Sequence, residues 1–133
     1  MNITIKTIPY REQRYETCGD YFLAPDGSTQ FRVNEMGNAD YEFLVSIHEQ
    51  IEEHLTRRRG LKEPDIMAFD LAWEKEREEG KHGDDEEPGH DLRAPYHKEH
   101  VMAENIERMI ALEMGVDWNA YGKAVIESCE APR

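Results

Sequence analysis

The hydrophobic period of this chain changes once, near residue 38, and that single change limits what it can fold into. Before it, apolar residues follow the period of a strand. "NITIKTI" alternates, with Ile3, Ile5 and Ile8 marking a strand over residues 2–8. "DYFLAPDGSTQFRV" holds two β-prone runs, 20–24 and 29–34, around a Pro-Asp-Gly turn in which Gly27 can take a positive φ. From Asn38 onward the period is helical. "NADYEFLVSIHEQIEEHLTRRRG" predicts a helix over 38–60, capped by Asn38 or Asp40 and stopped at Gly60. Three more follow: 63–79, with Pro64 in its first turn; 95–114, between Pro95 and Gly115; and a short one, 117–128, capped by Asp117. The expected fold is therefore α+β: a small antiparallel sheet of about three strands in residues 1–36, then three to four helices. At 133 residues this is one domain.

Charge narrows the partners. The chain is 34% charged with a formal net charge of −13, the wrong sign for direct binding to nucleic acid or an anionic membrane. A basic protein partner, or mimicry of nucleic acid, stays open. No run approaches the length of a membrane helix, and the N-terminus lacks the apolar core of a signal peptide. Cys18 and Cys129 stand far apart without metal-binding spacing, as expected of free thiols in a cytoplasmic protein. Between the second and third helices, residues 74–91 carry nine acids against Lys75, Arg77 and Lys81, with three glycines and a proline. Such a composition predicts a mobile, solvated acidic loop over 80–94, with a lid or a docking strip for a basic partner as the alternatives.

The chemistry-bearing signal is a conflict between pattern and residue type. In the first helix the stripe Leu44–Ile47–Ile51–Leu55 passes through His48, with Glu52 one turn on at its edge. In the second, Asp70 falls among Ile66, Met67, Phe69 and Trp73; in the third, His100 precedes Ala103, Ile106 and Ile110. Unpaired buried charge is costly, so these groups are expected to partner one another, directly or through a metal. His48, Glu52, Asp70 and His100 are thus the candidate ligands of a divalent ion, zinc or alternatively manganese or iron. A metal-free polar network of the same residues is the other reading. His54, His82, His90 and His97 stand in charged or loop stretches and are expected on the surface.

The segments "IPYREQRY…GDY", "YEFLVSIHEQIE", "MAFD", "APYHKEHVMAENIE" and "GVDW" resemble a family of small uncharacterised proteins from phages, prophages and bacteria, over residues 3 to 121. The resemblance implies His48, Glu49, Glu52, Asp70, His100 and Glu107 as site residues and brings no activity with it. A looser likeness is to minimal zincin peptidases, with His48, Glu52 and His100 as ligands and Glu49 as general base. Glu52 stands where the peptidase helix has its second histidine, so an anionic ligand replaces a neutral one and the metal is a weaker Lewis acid. "EQIEE" followed by "DIMAFD" also faintly resembles the magnesium-dependent all-α nucleotide pyrophosphohydrolases, which the histidines and the β start fit badly. The expected protein is thus one with a metal site among three helices, a hydrolase or a degenerate zincin-like protein. Its rival is a non-enzymatic acidic interaction protein of the phage-inhibitor type, and a homodimer is open in either case.

Overall fold

The computed structural model describes residues 1–130 and 132. Three strands, β1 (Ile3–Ile8), β2 (Gly19–Leu23) and β3 (Thr29–Asn34), precede four helices, α1 (Ala39–Arg58), α2 (Glu63–Glu78), α3 (His97–Glu113) and α4 (Trp118–Ser128). The α+β class and the order of elements agree with the sequence pattern. Both expected caps form: Asn38 Oδ1 accepts the Tyr41 N–H at 3.1 Å, and Asp117 Oδ1 accepts the Ala120 N–H at 2.8 Å. Each satisfies an amide that the first helical turn leaves without a partner. Among the described residues no helix is long and apolar enough to cross a membrane.

One pairing departs from expectation. The sheet is mixed, in the order β1-β3-β2, with β2 and β3 antiparallel and β1 parallel to β3 from Ile3–Thr29 to Ile8–Asn34. Residues 9–18, including a 3-10 turn at Tyr10–Glu12, carry the chain past the middle position to the far edge. The hairpin then returns β3 into the gap. Period-two alternation encodes which face a side chain takes but not the direction of the neighbouring strand, so the sequence pattern was silent on this point. At the hairpin Gly27 adopts φ 87°, as its turn requires.

The central strand supplies the floor of the core, with Phe31 and Val33 fully buried. One apolar cluster joins Tyr21 and Phe31 to Ile66, Ala94 and Tyr96; a second joins Val33 to Leu44, Val45, Ala111 and Tyr121. Between them α1 and α3 pack together closely. Ala103 and Ala111, both buried, are the small residues at that interface. Arg59, just past α1, clamps the start of α3 by donating to Glu99 at 2.5 and 2.8 Å and to the Pro95 carbonyl at 2.7 Å. This Arg–carboxylate fork fixes how α1 and α3 sit at that end.

Candidate metal centre

The deepest line of α1 is more polar than its stripe implied. Leu44, Val45, His48, Glu52 and Thr56 are buried, whereas Ile47, Ile51 and Leu55 are only half-buried. On α3 the buried line is His100, Ala103, Glu107 and Ala111. Facing helices therefore bury an imidazole and a carboxylate each, and these four groups meet.

His48 is the hinge of the cluster. Its Nδ1 lies 2.8 Å from Glu107 Oε1, and its Nε2 lies 3.0 Å from Glu52 Oε2 and 3.2 Å from His100 Nδ1. His100 Nδ1 is in turn 2.9 Å from the same Glu52 oxygen, closing a triangle of Nε2, Nδ1 and Oε2. Each corner is held from behind. Glu107 accepts from His48 and from the Tyr121 hydroxyl. Glu87 Oε2 lies 3.1 Å from the outer nitrogen of His100. Tyr21 donates its hydroxyl to Glu52 Oε1 at 3.0 Å, which leaves Oε2 for the triangle. Outer carboxylates of this kind fix the tautomer and raise the basicity of metal-ligating histidines.

With the outer N–H groups given to Glu107 and Glu87, three lone pairs converge in the middle, and electrostatics requires protons or a cation there. Protons fill the role in the absence of an ion. Burial acts to lower the pKa of His48, but hydrogen bonds to Glu107 and Glu52 outweigh it and raise it well above the ordinary histidine value. For His100 burial is likewise overcome, by Glu52 and Glu87, to about 9. Burial pushes the Glu52 carboxyl up, and the two imidazoles more than reverse that and hold it low. These buried His and Glu groups could hold a metal ion.

The triangle floors a cleft of about 910 Å³. Two further carboxyls line it. Glu49 leans over Gly19, where a Cβ would lie 2.8 Å from its Cγ and Oε1. Burial first, and the charge of Glu52 second, push the Glu49 carboxyl up to about 8. Asp70, half-buried, accepts from the Tyr96 hydroxyl, and burial raises it to about 7. Of the residues singled out in the sequence, the structure brings His48, Glu52 and His100 together, with Glu107 bonded to His48. Asp70 is not among that group: its carboxylate is engaged by Tyr96 on the cleft wall.

The acidic loop is largely exposed, as its composition predicts, but it is also tied down by specific contacts. Arg77 donates to the carbonyls of Gly83 at 2.8 Å and Glu86 at 2.6 Å, and the His82 ring stacks on Trp73 with centroids 4.1 Å apart. A 3-10 turn, Pro88–His90, then lays buried Gly89 against His100. A Cβ on Gly89 would come within 2.2 to 2.6 Å of the imidazole ring, so only glycine allows this approach. Composition counts charges but not partners, and here arginines and imidazoles take up Glu74, Glu76, Glu87 and Asp91. His90 is exposed, as expected, and it also sets its ring 4.9 Å from that of His100 and bonds Glu104 at 2.7 Å. Sequence reasoning missed Glu87, His90 and the tyrosines. Glu107, which the resemblance implies, stands on the same helical face as positions 100 and 103 and reaches His48.

Gly89→Ala is expected to cost about 1–3 kcal/mol, as overpacking does, and to lower metal affinity by displacing His100 or the turn. Thermal melts with and without added zinc would check it, and an unchanged melting temperature in both states would refute the close fit. No protein-family model, curated protein or solved structure was found to match this chain.

Proposed function

We propose that the protein is a metal-dependent hydrolase whose ion is held by His48 Nε2, His100 Nδ1 and Glu52 Oε2. The observation that supports this reading is the triangle itself, with edges of 3.0, 3.2 and 2.9 Å and every corner braced from outside. Bonds of about 2.1 Å put neighbouring ligands about 3.0 Å apart in an octahedron and about 3.4 Å apart in a tetrahedron. The edges thus suit iron(II) or manganese at least as well as zinc, and a three-ligand face leaves positions open toward the cleft. An ion held there acts as a Lewis acid and lowers the pKa of water toward neutrality.

The chain's own residues supply the remainder. Glu49 adjoins Glu52 in sequence and lines the same cleft. Part of what raises its pKa is the charge of Glu52, which a bound cation offsets, so Glu49 is tuned to take a proton near neutral pH. Asp70 and Tyr96 form a polar wall opposite, suited to orienting a substrate. Glu107 and Tyr121 act through His48 as positioning residues.

Elemental analysis of protein purified without added metal is the direct test. Retention of a transition metal, with a fall in melting temperature on chelation, is expected; less than roughly 0.1 equivalent and no thermal shift would overturn the reading. Glu49→Gln should keep the metal and the fold while losing hydrolysis across a panel of peptide, carboxyl-ester and phosphoester substrates. Hydrolysis of none of these by the wild type would overturn the hydrolase reading.

A further inference from the structure

We propose that His100 is shared between two divalent-ion sites. Its Nδ1 faces His48 and Glu52, and its Nε2 faces a second set made of Glu87, His90 and Glu104. Only the Nδ1 half of this inference rests on the function proposed above. The second set has its own geometry. Glu87 Oε2 lies 3.1 Å from His100 Nε2 and 3.5 Å from His90 Nε2, and Glu104 Oε2 lies 2.7 Å from that same His90 nitrogen. Ligand atoms of Glu87, His90 and His100 all fall within 4.8 Å of one another.

Two observations separate this from a surface cluster of acids. First, the ligand atoms of two imidazoles and two carboxylates converge. The single N–H that His90 can offer at Nε2 faces two carboxylates, and the N–H of His100 faces one of the same two. Two negative charges therefore converge on two imidazoles, and a dication is the partner that neutralises them. Second, His100 is itself only 8% exposed, and the turn carrying Glu87 and His90 reaches it solely because residue 89 lacks a side chain. A solvated loop has no need of such an approach. Mixed imidazole and carboxylate ligands select a borderline transition ion, such as zinc or cobalt(II), over calcium.

Occupancy of the second site requires the proton on His100 Nε2 to leave. With both sites filled, His100 would bind as the imidazolate, its Nε2 proton released to solvent. The imidazole then bridges two ions along the rim of one cleft, since His48, Glu52, Glu87, His90 and Glu104 all line it.

Titration of metal-free protein with cobalt(II), followed by visible absorption and by metal analysis after dialysis, tests the proposal. The wild type should take up two equivalents. The double variant His90→Ala, Glu104→Ala should take up one, with the absorption of the first ion retained; Glu87→Gln, a milder change, should weaken the second equivalent at least tenfold. Magnetic coupling through the ring should make the electron paramagnetic resonance signal of doubly loaded protein smaller than twice that of the double variant. One equivalent in the wild type, unchanged in the double variant, would refute the second site and leave the first standing. No uptake by any form would overturn both.

Discussion

Replacing Glu52 by alanine should abolish metal binding and, independently, lower the stability of the metal-free protein by about 3–5 kcal/mol, the scale for removing one partner from a buried ion pair. The carboxylate carries the one negative charge within the triangle. Without it, two buried imidazoles raised above neutrality face each other across 3.2 Å, and the Tyr21 hydroxyl loses its acceptor. Glu52→Gln separates the effects: its amide oxygen can still accept from Tyr21, so it should cost less stability, yet it lacks the charge that anchors an ion. Urea denaturation of the metal-free proteins, with metal analysis alongside, checks both. Tight metal binding by either variant would show that the ion lies elsewhere.

The second large effect is one of pH, and its two halves have opposite signs. In the metal-free protein His48 and His100 have pKa values above those of the unfolded chain. Their contribution to stability is fully present below the unfolded value of about 6.5 and is lost as pH rises through the folded one, about 9 for His100. Glu52 behaves in the reverse sense. Its depressed pKa stabilises the fold above the unfolded carboxylate value and ceases to as the solution is acidified through the folded one. Metal affinity, by contrast, must rise with pH over the same interval, because the ion displaces the protons on both imidazoles. A gain of about tenfold to a hundredfold per pH unit is expected between pH 6 and 8.5, as one or two protons are released. Melting curves with and without manganese at several pH values should therefore diverge as pH increases. Parallel curves would mean that the ion does not occupy the triangle.

The site was partly legible because a helix makes its own geometry. Positions 48 and 52 are one turn apart in any α-helix, and each stood where an apolar residue was due. His100 broke the pattern on α3 in the same way. Asp70 did too, yet its neighbour is Tyr96, and no spacing within α2 reports what will face it across the core. The braces were out of reach for a related reason. Tyr21, Tyr121 and Glu87 lie on a strand, the last helix and a loop, and amphipathic tyrosines serve a core as well as a site. Direction of pairing in the sheet is lost because alternation is blind to it, and the ion pairs that tie down the exposed acidic loop are lost because charge counts ignore pairing. Cys18 and Cys129 are both free, as expected, and Asn34 touches the two: its amide N–H donates to the Cys18 carbonyl at 2.9 Å, and its side-chain nitrogen lies 3.5 Å from Cys129 Sγ.

The brace between His48 and Glu107 joins residues 59 positions apart, and the contact of His48 with His100 spans 52. Chain loops of that size are slow and entropically expensive to close. An ion that binds the closed arrangement and not the open one adds RT ln(1 + [L]/Kd) to the folding free energy. Were the proposed ion bound there, its scarcity would register as a shorter lifetime of the folded chain, and the abundance of the protein in a cell would follow the supply of that ion.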